Sequence, residues 1–396
     1  MRHTMGRLIQ YDSETRPGLF KRLLAFAVTL ALALGALVLV ANHDKWNIDA
    51  IRRYFTYWSL SRSGEETESF IYDSDSANRY ASLGNGLLVC TPVSIRAYGA
   101  DGTPYVEKAV SLSNPVVSSV GNTALVYDVG GQELFVFSDD PNPFSLSLPA
   151  GSTLLSASLT ASRWLVVTSQ ESGHRGTVTV YNSSFAPVIQ LNLSSFVMDA
   201  ALSPNHHSVA IVTMGLNEAG SFESRVNFYR LDRKKDEVEP DASCSVGNNV
   251  GLNLRWDEDG VWLLGENSLF ILQENGSITG SYNYAGRYLK SFTLDGSGYA
   301  VLLLGKYRVG STAELVVVDQ TGNAVTSGAL ADQVLSLSAA GKYLAVLTAG
   351  KLTLYTQDLQ VYDILEYTQG AQQVIVRSDG SALLLGASSA RLYLPD

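Results

Sequence analysis

Apolar and polar positions along this chain fall into short strand-like runs, and the runs are grouped. Between Leu335 and Thr356 the sequence reads LSLSAAG, then KYLAVLT, then an Ala349-Gly350 break, then KLTLYT. A strand of small residues ends in a glycine turn, a continuously apolar strand follows, and a tight hairpin leads into an alternating strand. The same grammar returns along the chain. Turns at Gly86, Asn122, Ser162, Asn205, Gly260, Gly298, Gly341 and Gly380 precede the best apolar strand of each repeat, at intervals of about 42 residues.

Position within the repeat predicts position in the fold. Each repeat opens on a short run such as VVSSV, LLSASL, VMDAAL or VLSLS. Its small residues suit an innermost strand crowded near an axis. The second runs, such as YLAVL and VLLLG, are apolar throughout, as expected of strands buried on both faces. Later runs alternate, as expected where one face meets solvent. Four strands in 40 to 50 residues is the size of a propeller blade. The pattern therefore predicts an all-β protein, a β-propeller of eight four-stranded blades preceded by one N-terminal transmembrane helix. Seven blades is the runner-up, because the fourth repeat is long. The eighth repeat has three strands before Asp396, and the SFIY run at Ser69–Tyr72 is expected to supply the fourth and remove an exposed sheet edge.

Before the repeats, the 19 residues 23–41 carry no charge. As a helix they would be roughly 28 Å long, close to the thickness of a bilayer core. Arg16, Lys21 and Arg22 precede them, which places the N-terminus in the cytoplasm and the rest outside. The run is longer than a signal-peptide core, and a cut after Ala41 would put Leu39 at the −3 position, so an uncleaved anchor is expected. Next, Ile48, Ile51, Phe55 and Trp58 recur at helical spacing, and Trp46, Tyr54, Tyr57 and Trp58 are residues favoured at a membrane boundary, so a short helix in the outer interface is expected, with a helix docking on the propeller as the competing reading. The expected organisation is a cytoplasmic tail over 1–22, the transmembrane helix over 23–41, an amphipathic helix and polar linker over 42–68, and the propeller over 69–396.

Charge narrows the partners. The chain carries −10, and its body beyond residue 22 is more acidic still. Such a surface lacks the basic footprint that nucleic acid requires, so none is expected to bind. Cys90 and Cys244 fall three repeats apart, too far for a disulfide in a closed ring.

No G-x-S-x-G, H-E-x-x-H or phosphate-loop motif occurs along the chain. Asp257-Glu258-Asp259-Gly260 and Asp73-Ser74-Asp75 lack the spacing of a calcium loop, and Asp-Gly before a strand reads as a turn. The adjacent His206 and His207 would point to opposite faces of a strand, and read as solvated turn residues. His174 reads the same way, in a polar hairpin loop. No metal or cofactor is expected. Asp199, Arg255 and Arg377 are the notable polar residues of the innermost strands and are the candidates for channel lining.

An uncharged N-terminal run followed by divergent propeller repeats resembles uncharacterised membrane-anchored bacterial β-propeller proteins of the quinoprotein-like and lactonase-like superfamily. The resemblance is one of architecture, and it carries over no site residues. The five tryptophans do not recur as in quinoprotein dehydrogenases, and no repeat ends in a Trp-Asp pair. The functional expectation is an extracytoplasmic binding or scaffold module for a protein or cell-envelope ligand. The alternative is a propeller enzyme of the envelope acting on carbohydrate or lactone substrates.

Overall fold

The computed structural model describes residues 23–24, 26–30, 48–58, 62–63, 66–234, 237, 239–368 and 370–395. Among them the strands form eight antiparallel sheets of at least four strands each. The blades span residues 79–109, 115–147, 153–193, 196–245, 251–283, 288–330, 334–366 and, for blade eight, 373–393 together with 66–71. The chain is thus an eight-bladed propeller, as the repeats predict. Blade four is long because its second and third strands, Ser208–Leu216 and Phe222–Arg230, pair over nine residues.

The second strand of each blade explains its own composition. In Tyr343–Thr348, the side chains of Tyr343, Ala345 and Leu347 pack with blade eight, while Leu344 and Val346 pack with blade six. Alternate residues point to opposite faces of a strand, and here both faces meet a neighbouring blade. Eight hydrophobic clusters result among the described residues, one at each seam between adjacent blades. Each fully buried Leu, Val or Phe contributes about 1.5–3 kcal/mol, so every seam adds to the cohesion of the ring.

The closing strand is Glu66–Ile71. It pairs antiparallel with Ser389–Tyr393, with Ser69 opposite Arg391, Phe70 opposite Ala390 and Ile71 opposite Ser389. It starts three residues before the expected boundary, and a two-stranded extension, Arg62–Ser63 beside Glu66–Thr67, lies in the stretch that composition reads as linker. Phe70 and Tyr72 fill the seam between blades eight and one, and the Tyr72 hydroxyl donates to the Gly386 carbonyl at 2.9 Å.

An antiparallel meander gives the ring two chemically distinct ends. Turns from first to second strand and from third to fourth lie at one end. Turns from second to third strand, and the connections between blades, lie at the other. Tyr57, where the propeller unit begins, bonds Arg377 and Ser381 beside the first turn of blade eight. We call that end proximal and the opposite one distal.

Helix α1, Ile48–Thr56, belongs to a separate compact unit. Asp49 in its first turn and Arg53 in its last complement the helix dipole. Ile51 and Phe55 of the predicted apolar stripe are exposed, as is Trp58. Tyr57 corrects the boundary-aromatic expectation: it is 1% exposed and packed in the seam between blades eight and one, its phenol oxygen supplying a polar contact inside the protein. The transmembrane helix expected over 23–41 lies largely outside the described residues, and residues 23–24 and 26–30 are helical and exposed. Among the described residues no helix is long and apolar enough to cross a membrane.

Candidate binding channel

A cavity of 970 Å³ lies among the first strands of blades two to seven. The sequence builds these strands from small and polar residues because neighbouring backbones approach there, and the structure shows what the hydroxyls do. Ser158 donates to the Ala200 carbonyl of the next blade at 2.9 Å. Ser336 and Ser338 accept from the amides of Val374 and Val376 of blade eight, each at 3.1 Å. A larger side chain would force the strands apart, and an apolar one would leave these backbone groups unpaired.

Asp199 joins three blades. Its carboxylate accepts from Ser156 Oγ of blade three at 2.8 Å, from the Ala200 amide at 2.9 Å, and from the Leu254 amide of blade five at 2.9 Å. Burial raises its pKa above the ordinary carboxylate range, and these three donors oppose that rise. The phenol of Tyr127, which also lines the cavity, is pushed up to about 12, chiefly by burial and then by the charge of Asp199. Arg255 lines the cavity in blade five and forms an ion pair with Asp295 of blade six. Arg377 is 9% exposed at the closing seam. Its Nη1 donates to the Tyr57 hydroxyl at 2.8 Å, its Nη2 to the Gly86 carbonyl at 2.9 Å and its Nε to Ser82 Oγ at 3.2 Å. The structure does not gather the three candidates into one cluster. Each ties a different set of neighbouring blades.

Periodicity missed a recurring irregularity. The first strands of blades three to seven each carry a β-bulge near their start, with the extra residue being Leu155, Met198, Leu252, Lys290 or Leu335. A bulge re-aims the side chain at that point and increases the local twist. Leu155, Met198 and Leu252 therefore give the distal part of the cavity an apolar lining, while Ser162, His206, Asp257 and Asp295 lie at its proximal mouth. The channel is amphipathic along its axis.

At the proximal mouth, His206 stands in the left-handed region at φ 58°, a conformation histidine tolerates better than most residues. Its ring stacks on Trp164 of blade three at 4.9 Å and its Nε2 meets Ser162 Oγ at 2.5 Å. Of the two, only His207 is exposed, so the turn reading holds for the pair but solvation holds only for His207. The available sequence signal was spacing: Trp164 and His206 sit about one repeat apart. Partial burial, and then the neighbouring His207, lower the His206 pKa below 6.5. The folded state thus resists protonation, and stability contributed by the neutral ring is present above pH 6.5 and declines as pH falls below it towards the lower folded value. In a pH titration, the fluorescence of Trp164 is expected to be quenched by the imidazolium with a midpoint below 6.5. A His206→Gln variant should lose that transition, and its persistence would remove the stacking assignment.

Asp257 accepts from the amides of Asp259 and Gly260 at 3.0 and 3.2 Å, so the Asp-Gly turn expected there is formed by its side chain. Burial raises its pKa above the ordinary carboxylate value. Cys90 and Cys244 are free thiols on blades one and four, and burial pushes Cys90 up to about 12, which keeps it protonated and unreactive at neutral pH. Among the described residues no group of His, Cys, Asp and Glu is placed to hold a metal ion.

Comparison with known proteins places the chain. Residues 60–380 match the model of a family of unknown function, DUF5711. The chain belongs to that family. No curated protein matches it. Among solved structures, this family member is similar to BamB from Moraxella catarrhalis, with 15% identity, a TM-score of 0.52, and coverage of 83% of this chain and 96% of that one. A mitotic checkpoint complex structure matches at 13% identity and a TM-score of 0.45, over 69% of this chain and 87% of that one. Streptogramin B lyase matches at 11% identity and a TM-score of 0.42, over 72% and 95%. The likeness to BamB is one of fold, and it agrees with the resemblance to propeller proteins by architecture.

Proposed function

We propose that this protein is a binding or scaffold propeller, displayed outside the cell on a single N-terminal membrane helix over residues 23–41, with residues 1–22 in the cytoplasm. The observation that carries the binding reading is the commitment of the channel's polar groups. Asp199, Arg255, Ser336 and Ser338 are engaged in bonds between blades, so the wall is structural and recognition falls to the ends of the ring. Loops positioned by a rigid scaffold are where binding surfaces ordinarily form. The anchor rests on the uncharged 19-residue run and the basic residues before it. Protein and envelope-polymer ligands are the classes in view.

A propeller enzyme acting on carbohydrate or lactone is the second reading, and Asp257 favours it. A carboxyl raised by burial, at a mouth it shares with the Arg255–Asp295 ion pair, has the polarity of a general acid.

Membrane fractionation with surface labelling tests the main proposal. The full chain should stay in the membrane through an alkaline carbonate wash, and a cysteine introduced at Glu258 should react with an impermeant maleimide in intact cells. Release by the wash, or labelling only after lysis, would overturn the anchored, outward-facing reading. Hydrolysis of a sugar or lactone panel that Asp257→Asn abolished would establish the enzyme instead.

A further inference from the structure

The two ends of the ring differ in what they expose. Apart from those on fourth strands, which form the outer edge of each blade, the exposed large apolar residues of the propeller gather at the distal end. They include Phe196, Leu216, Phe222, Leu252, Tyr288 and Tyr367, at the starts of first strands, the tip of the blade-four hairpin and the connections between blades. The proximal turns between first and second strands are built mainly from Gly, Asn, Asp, Ser and His, with Ala161, Arg163, Pro204, Glu258 and Lys342 among them, and the described residues there include no exposed large apolar side chain. Contiguous exposed apolar surface on a soluble domain marks an interaction site.

Within the distal end, blade six adds charge. Where blade seven joins its second and third strands by Ala349-Gly350 alone, blade six uses residues 306–312, a loop longer than a hairpin needs. Val309 on it is 87% exposed and Tyr307 66%. Lys306 stands over the Tyr307 ring at 5.4 Å and Arg308 over the Tyr288 ring at 5.9 Å. Lys290, the charged member of the bulge series, donates to the Gly310 carbonyl and holds the loop against the first strand. Glu314, the carboxylate on the adjoining strand, is engaged by Arg287. In a protein of net charge −10, three cations are thus held on aromatic and backbone partners beside apolar side chains, and none of them forms an ion pair among the described residues.

We propose that this distal surface docks an acidic segment of another polypeptide, one that lays apolar side chains against Val309, Tyr307 and the bulge leucines and carboxylates against Lys306, Arg308 and Lys290. Charge complementarity selects an anionic partner. The net charge of −10 selects a polypeptide over an anionic bilayer, which would repel the body of the ring as a whole. The inference rests on the reading of the propeller as a binding module and names its partner by chemistry.

The test uses the full chain in nanodiscs of neutral lipid and a fluorescein-labelled synthetic peptide of alternating glutamate and leucine, with lysine–leucine and glutamate–serine peptides beside it. Anisotropy should report binding of the glutamate–leucine peptide in preference to both others, weakening as salt rises. Lys306→Glu with Arg308→Glu should weaken it by about tenfold or more while thermal unfolding stays unchanged. Val309→Ser should weaken it without altering the salt dependence. Equal binding of all three peptides, no binding, or an unaffected double variant would overturn the proposal. Flotation with phosphatidylglycerol vesicles in place of peptide binding would assign the surface to lipid, and a dimer that the double variant dissolves would assign it to a second copy; either outcome also overturns it. Membrane fractionation is a separate readout, so loss of peptide binding with intact anchoring sinks this inference alone.

Discussion

Removing residues 1–71 is expected to abolish the soluble monomer. The deletion takes away Glu66–Ile71 and leaves Ser389–Tyr393 with a free edge of unpaired N–H and C=O groups. Such an edge is a template for pairing with another chain. It also removes Phe70, which fills the seam between blades eight and one. Phe70→Ala alone should cost about 3–5 kcal/mol, a large share of the roughly 5–15 kcal/mol that holds a typical domain folded. The check is size-exclusion chromatography and thermal unfolding of two truncations, one beginning at Tyr57 and one at Tyr72. The first should run as a folded monomer and the second should aggregate. Equal behaviour of the two would show that the ring does not need the closing strand.

Arg377→Met should destabilise the protein by about 3 kcal/mol, the next largest single effect. Hydrogen bonds from a charged group contribute about 1.5–3 kcal/mol each, and desolvation of the guanidinium offsets part of the three made here. The substitution removes the guanidinium donor from the Gly86 carbonyl. Gly86 itself cannot be exchanged in compensation, because a Cβ there would sit 1.9 Å from the Tyr98 carbonyl oxygen. Arg377→Lys should recover little, since an ammonium on a flexible stem cannot reach Tyr57, Ser82 and Gly86 as the planar fork does. Urea unfolding of Arg377→Met, Tyr57→Phe and the double variant forms a cycle. A coupling of about 1 kcal/mol between the two positions is expected. Strict additivity would mean that the bond is not made in solution.

The blades were legible because their sequence is constrained at every seam. A second strand such as YAVLLLG must be apolar on both faces, and first strands must be small where backbones converge, so the repeat shows without an alignment. The closing strand was legible for the same reason: Phe70 is an apolar position in a run of the right length, and a ring one strand short requires it. The bulges were not, because one extra residue among Leu155, Met198 or Leu335 leaves the local alternation looking intact. Tyr57 reads as a boundary aromatic because its partner Arg377 lies 320 residues away. Trp164 and His206 meet across a seam, which repeat spacing suggests only once the pair is known. The residues 306–312 carry no motif, and their cations become a patch only when Tyr288 and Lys290 are folded beside them. The polar residues of first strands were found from the sequence, but their bonds to particular neighbours depend on inter-blade register, which periodicity does not fix.

Everything proposed for the two ends depends on the ring being closed by residues 66–71. Hydrogen–deuterium exchange of the intact protein measures this directly. The account predicts that amides of residues 66–71 exchange as slowly as those of their partner strand, residues 389–393. Exchange of 66–71 at the rate of a free tail, while 389–393 and the other blades stay protected, would contradict it.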